Sequence, residues 1–226
     1  MAERLDVPIF PLPDVVFFPE TVLPLHLFEP RYRQMITDCL AGDRRMAVVM
    51  LRPGWERDYH GRPPVHAVAG AGEIIHAERL ADGRYNVLLD GQMRIRIEAE
   101  VSGGRPYRVA RAHPLADVLS EVDRASLAER MLTLRALYAK LLDALGQAHA
   151  DLVGRLTVAG ARPGAVVDRI VSAVVPDAAV RQQILEAADV SERLDLATAA
   201  LLELLTLVSG SESEADGEDA EDAEDA

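Results

Sequence analysis

Residues 11–32 read PLPDVVFFPETVLPLHLFEPRY, and the five prolines in that stretch constrain the whole chain. Proline fixes φ and carries no amide donor, so it interrupts helices and strands that are paired on both sides. Pro11, Pro13, Pro19, Pro24 and Pro30 therefore divide the stretch into short extended pieces and exclude a helix or an ordinary central strand. Between them, residues 15–18 and 22–28 carry enough apolar surface to be buried. The backbone has to turn repeatedly and still lie in a core. Phe28, Glu29, Pro30, Arg31 and Tyr32 then open a helix, in which Tyr32, Met35, Ile36 and Cys39 recur at helical spacing.

Period two governs the chain from residue 45 to about 118. Residues 45–51 form an apolar run suited to a covered strand, after which Pro53, Gly54, Gly61, Pro63 and Pro64 mark a long loop. Residues 65–78 resume an extended pattern, where Gly70 and Gly72 point to a bulge or a close backbone approach. Asp82-Gly83 reads as a turn into Tyr85, Val87 and Leu89. Asp90-Gly91 reads as a second turn into Met93, Ile95, Ile97, Ala99 and Val101, and the two predict a β-meander. Arg94, Arg96, Glu98 and Glu100 alternate with those apolar residues and give their strand one wet face. Residues 106–112 supply a further strand.

Helical spacing then takes over. Ser120 with Asp123 is an N-terminal capping signature. Leu127, Met131, Leu134, Tyr138, Leu141 and Leu145 form one apolar stripe that Gly146 ends. A shorter helix is expected over 149–158. Pro163 opens the next, filled by Val166, Val167, Ile170, Val171, Val174 and Val175 and stopped by Pro176. Asp177 caps a fourth with Val180, Ile184 and Leu185 inward, and Ser191 caps the last, whose buried side is Leu194, Leu201, Leu205 and Val208. Leucine stripes of this kind are core, so none of these positions is assigned a binding role.

Composition narrows the function. The chain has 226 residues, 49% of them hydrophobic, which suffices for a buried core. Its net charge of −13 is uneven: residues 209–226, SGSESEADGEDAEDAEDA, hold nine carboxylates and no base. Without them the balance is 28 acidic against 24 basic residues, a net of −4. The terminal segment is expected to be a solvated, disordered acidic tail. Nucleic acid is a poor partner, because phosphate binding needs clustered Lys and Arg. The single cysteine, Cys39, gives no disulfide framework and reads as a buried structural thiol. The first residues lack a signal peptide and no run reaches the ~20 apolar residues of a membrane span. A cytoplasmic protein without a membrane partner is expected.

The opening stretch, the segment DGRYNVLLDGQMRIRIEAE (82–100) and the late helical sequence QQILEAADVSERLDLA (182–197) together resemble the N-terminal substrate-binding region of bacterial ATP-dependent Lon proteases, over about residues 7–208. The resemblance implies an α+β fold: a PUA-like β pseudo-barrel with one early helix over 1–118, a C-terminal α-helical bundle over 119–208, then the tail at 209–226. It also implies a proteolysis-related, non-catalytic module that binds unfolded or apolar polypeptide segments or docks a partner protein. It carries no ATPase or protease module, so the chain reads as a stand-alone form. The loop RPGWERDYHGRPP (52–64) holds Trp55 and Tyr59, residue types enriched at interfaces. These two either line a polypeptide site or simply pack the loop down. Phe28, Glu29, Arg31 and Tyr32 match the family's opening motif and join the candidate set. Their alternative role is folding, with Phe28 and Tyr32 buried and Glu29 and Arg31 paired locally.

Catalysis has little to stand on. Lys140, the only lysine, follows Ala139 inside a predicted helix, so no phosphate loop exists. Ser126 lies roughly twenty ångströms away by helix rise, too far for a Ser-Lys dyad. His26, His60, His66, His76, His113 and His149 show no zinc spacing, and Gly70-Ala71-Gly72 lacks the third glycine and the helix of a dinucleotide turn. No catalytic residue, metal or cofactor is assigned. Two other readings remain: a PUA-like RNA or nucleotide binder, which the acidic balance disfavours, and an enzyme with convergent carboxylates, which requires a polar cleft with perturbed pKa values.

Overall fold

A computed structural model describes residues 4–58, 61–119, 121–146 and 161–221. The Ser120 cap, the 149–158 helix, Tyr59, His60 and His149 lie outside the described residues. Six strands, β1 (Leu5–Leu12), β2 (Val22–Leu27), β3 (Arg45–Met50), β4 (Val68–Arg79), β5 (Tyr85–Val101) and β6 (Arg108–Pro114), form one mixed sheet in the order β2-β5-β4-β3-β1-β6. β5 also pairs with β6, so the sheet curls back on itself without making a clean barrel. Helix α1 (Pro30–Ala41) sits among the strands in sequence, whereas α2 (Glu121–Ala144), α3 (Pro163–Val174), α4 (Ala178–Glu186) and α5 (Val190–Glu221) follow them. The architecture is α+β.

The prolines behave differently from the simple expectation in β1. That strand is interior in the sheet order and still contains Pro8 and Pro11. Residues Leu5 to Ile9 pair antiparallel with β6, and Ile9 to Leu12 pair parallel with β3. The strand changes partner at Ile9, so each half has an unladdered side on which a missing amide costs nothing. Pro24 sits in β2, which pairs only with β5 and is an edge. Residues 15–18 join no ladder; Val16 and Phe18 face a cluster shared with the helices, and Phe17 faces the cluster under α1. This alternating segment is the apolar wedge between sheet and bundle.

The predicted Asp90-Gly91 turn is not a reversal. β5 runs unbroken for 17 residues, with register shifts at Gly91 and again after Ile97. Gly91 is needed because a Cβ there would fall on the carbonyl oxygen of Phe18, and its backbone exchanges hydrogen bonds with Glu20 (2.7 Å) and Thr21 (2.8 Å). Gly70 makes the close approach its sequence context suggests: a Cβ would meet the carbonyl of Phe17. Thus glycines on two neighbouring strands admit the proline-rich segment. Small residues fill one face of the curled sheet, including Ala47, Ala69, Ala71, Ala110 and Ala112, while Met46, Val48, Ile74, Val87 and Leu89 line the other beneath α1.

Several helical details also differ. The last helix is capped by Asp189, whose Oδ1 accepts from Ser191 N (2.7 Å) and Glu192 N (3.2 Å), not by Ser191. Asp177 caps α4 as expected, accepting from Ala179 N and Val180 N. On α2 the stripe drifts, so Leu142 is buried and Leu145 is exposed. The backbone of α5 stays helical to Glu221, where composition predicts disorder from residue 209. Alanine and glutamate are strong helix formers, and a helix nucleated by packing at Leu194 and Leu201 propagates at small cost.

Sheet and bundle are locked by buried charge. Arg94, on the expected wet face of β5, is only 3% exposed; its guanidinium donates to the carbonyls of Leu185 (3.1 Å) and Ala187 (2.7 Å) and to Asp117. Arg193 of α5 is fully buried and donates to both Asp168 oxygens (2.9 and 3.1 Å), to Asp117 and to Ala187 O. Burial pushes the Asp168 carboxyl up to about 6 against the pull of Arg193 and Arg94. The backbone seals the same junction, since Val118 N donates to Ala188 O (3.0 Å) and Val190 N to Val118 O (2.8 Å).

Replacing Arg193 by Leu strips Asp168 of its bidentate partner and should lower stability by about 3–5 kcal/mol in urea denaturation; adding Asp168→Leu should recover part of that loss. Cys39 is buried, and burial together with Asp43 and Asp38 pushes its thiol up to about 12. Aromatic disulfide reagents should therefore label Cys39 at pH 8 only when the protein is unfolded, and fast labelling of the native chain would contradict this packing.

Candidate functional site

Two surfaces present apolar side chains to solvent. The first lies on β2, β5 and β4. Their pairing aligns Val22 with Asp90, and Pro24 with Leu88 and His76, so the outward side chains of three strands share one face. On or next to that face, Val22 (55%), Phe28 (60%), Ile75 (53%) and Leu88 (36%) are exposed. Ile75 stands out because β4 carries a register shift between Ile74 and His76 that frees it from the alternation. Phe28, just past the end of β2, lies 6.3 Å from the ring of His26, whose Nδ1 donates to Asn86 Oδ1 at 2.7 Å. Alternate β2 residues, notably Leu27, point into the cluster beneath α1. The period of two that buries one set of side chains exposes the other.

The second surface is a cleft of about 480 Å³ between the sheet and α4. Trp55, on the 3-10 turn Trp55–Asp58, lines it together with Met50, Leu51 and Pro53 on the sheet side and Ala179 and Gln183 on α4. His66 and Glu186 pair at 2.9 Å across it, and Gln182 donates to Glu186 (2.8 Å) and to Val68 O (3.0 Å). These bonds fix the position of α4 and leave the apolar side chains of the loop facing the opening.

The candidate residues do not converge on one place. Trp55 is half-buried in the cleft, whose lining contains none of Phe28, Glu29, Arg31 or Tyr32. Tyr32 is buried, its ring packed edge-on against Phe10 at 4.5 Å, and Arg31 lies 4.7 Å over it while pairing with Glu29 at 3.0 Å. That is the folding role. Phe28 departs from it: the residue expected to bury beside Tyr32 is exposed, in the extended segment just before α1. Val22, Ile75 and Leu88 were not anticipated. Val22 and Leu88 carry a legible signal in hindsight, since each occupies the polar phase of its strand's alternation. The Ile75 exposure depends on a bulge with no marker in sequence. Among the described residues, no three His, Cys, Asp or Glu side chains gather as a metal ligand set, and no helix is long and apolar enough to cross a membrane.

Comparison with known proteins gives the same picture of the fold. The family model of the ATP-dependent protease La (LON) substrate-binding domain matches residues 6–203. The Lon protease of Anaeromyxobacter dehalogenans is 27% identical over 217 residues, covering 94% of this chain and 25% of the relative. Lon protease 2 of Sorangium cellulosum is 30% identical over 199 residues, covering 85% and 24% respectively. The chain thus spans about a quarter of the length of the relatives it matches. The N-terminal domain of the Mycobacterium avium complex Lon protease superposes with a TM-score of 0.65 at 23% identity, covering 87% of this chain and 98% of that one. The Lon N-terminal domain protein from Xanthomonas campestris gives 0.58 at 20% identity, with 86% and 98% covered.

Trp55 tests whether the loop is core or surface. Trp55→Ala should cost well under the ~3–5 kcal/mol of a fully buried aromatic truncation in urea unfolding followed by circular dichroism. A loss in that upper range would show that the tryptophan serves packing alone.

Proposed function

Because the chain belongs to the ATP-dependent protease La (LON) substrate-binding domain family, we propose that it is a non-catalytic polypeptide-recognition module whose contact surface is the exposed face of β2, β5 and β4. The observation that carries this reading is the grouping of Val22, Phe28, Ile75 and Leu88 in solvent beside a sheet edge. An unfolded segment presents apolar side chains and unpaired amides together. The face offers apolar area, and the outer side of β2 offers backbone donors and acceptors, the combination used when an extended peptide adds to a sheet. Pro24 removes one donor from the middle of that edge, which limits indiscriminate strand addition while leaving the side-chain contacts intact. The lone thiol of Cys39 suits a reducing, cytoplasmic setting.

The test is binding of a fluorescently labelled, permanently unfolded carboxymethylated protein, followed by anisotropy. Phe28→Ser with Leu88→Ser removes one exposed ring and one exposed aliphatic chain without touching the core, so the melting temperature should hold while affinity falls about tenfold, on the order of 1.4 kcal/mol. Unchanged affinity in a folded double variant would remove this face from the reading and leave the Trp55 cleft as the contact surface.

A further inference from the structure

At the end of β2, where the apolar face stops, α1 and the start of β5 flank an open depression of about 270 Å³ lined by residues that include Arg33, Thr37, Arg79, Gly83 and Tyr85. Pro30, which also lines it, is two residues from Phe28, and Tyr85 is the register partner of Leu27. The guanidinium of Arg33 lies against the turn at Gly83, where a Cβ would collide with its Nη2, so the glycine is what lets this side chain occupy the wall. Arg33 is half-buried there and Arg79 is exposed; among the described residues neither guanidinium forms a salt bridge or donates a hydrogen bond.

The surrounding acids are already committed. Glu29 is held by Arg31 at 3.0 Å, and Asp82 by Arg84 at 2.7 Å. Asp38 accepts from Gln34 at 2.7 Å and from the Tyr107 hydroxyl at 2.6 Å. Arg33 also helps hold the Asp82 carboxyl below its usual range, after the larger effect of hydrogen bonding to Arg84. Two guanidiniums therefore remain in excess over one cavity. Thr37 donates its hydroxyl to Arg33 O (3.0 Å), while Tyr85 makes only a long 3.4 Å contact to Thr37, leaving its proton available to a stronger acceptor.

We propose that this pocket is an oxyanion site that takes a carboxylate of the bound polypeptide, from an acidic residue flanking the apolar segment held beside Phe28. The proposal rests on the polypeptide-recognition reading above and adds a charge preference to it. Arginine forks match carboxylates with two parallel hydrogen bonds, and a half-buried fork is screened less than an exposed one. The volume suits one carboxylate-bearing residue and falls short of the range typical of nucleotide-sized ligands. Inorganic phosphate shares the same chemistry and is distinguished by experiment.

Two labelled peptides with one apolar core and amidated ends, differing only in an Asp or an Asn beside that core, are titrated against the full chain. The acidic peptide should bind about five- to tenfold more tightly, and Arg33→Gln with Arg79→Gln should abolish the preference without changing affinity for the Asn peptide. Equal affinities for the two peptides would overturn the oxyanion site and leave the apolar face standing. If neither peptide binds, the recognition reading fails by itself, and the pocket is judged by nuclear magnetic resonance titration with acetate and with phosphate. Saturable acetate shifts at the Gly83 and Thr37 amides, lost in the double variant, support a carboxylate site. Absence of shifts, or saturation by phosphate alone, overturns it.

Discussion

The buried charge that ties the helices to the sheet converges on two arginines set among carbonyls. Arg94 arrives from the middle of β5 and Arg193 from the first turn of α5, and both close on Asp117 in the segment between β6 and α2. Neither guanidinium could sit there without compensation, since an unpaired buried charge costs several kcal/mol. Asp168 and Asp117 supply the negative charge, and the carbonyls of Leu185 and Ala187, left over at the end of α4, supply the remaining acceptors. One cluster therefore neutralises charge, finishes a helix and fixes the relative placement of four separate elements. The apolar contacts around it, Val16, Phe18, Met50 and Val68 against α3, α4 and α5, are non-directional and would tolerate sliding. The charge cluster would not.

That rigidity matters for the two surfaces that face solvent. The cleft at Trp55 is framed by α4, held at the start of β4 by Gln182 reaching the Val68 carbonyl, by Glu186 reaching His66 and by Arg94 reaching the helix end. The exposed face of β2 depends on the opposite arrangement. Its strand is anchored on one side only, through β5, and the Gly91 bulge lets the segment from Phe18 to Thr21 cross close to that strand. A stiff junction on one side and a one-sided strand on the other leave the open edge accessible while its apolar backing stays ordered.

Much of this was legible in the residues, and the failures have specific causes. A continuous apolar run located β3, an extended pattern located β4, and helical spacing located α1, α2, α3 and α4, because burial imposes those patterns. Asp90-Gly91 misled because the same dipeptide serves a two-residue turn and a bulge that needs close approach; only the neighbouring Phe18 carbonyl decides between them. Arg94 was placed in water by the alternation of its strand, although the helices cover that face. The clue lay far away in sequence: Arg193 occupies the apolar arc of Val190, Leu194 and Ala197, and Asp168 sits among Val166, Val167, Ile170 and Val171. Opposite charges on two apolar arcs point to each other. Of the candidate site, Tyr32 is buried against Phe10 and Glu29 pairs with Arg31, while Phe28 stands exposed just ahead of α1.

The change of partner along β1 sets an order of events during synthesis. Its first half closes the sheet by pairing with β6, about a hundred residues later in the chain. Contacts of such separation are slow to form because loop closure must precede any gain from pairing. At roughly 5–20 residues per second on the ribosome, the amino-terminal strand waits roughly 5–20 s for its partner to exist. For much of that interval, until β5 emerges about sixty residues after β2, the apolar segment at 22–28 has no strand to pair with. Extended apolar segments of this kind seed aggregation, and proline is the residue that most effectively prevents them from stacking as strands. The prolines tolerated by the finished fold are thus also guards of the nascent chain, and their removal in favour of better strand formers would trade a modest gain in the folded state for exposure before it is reached.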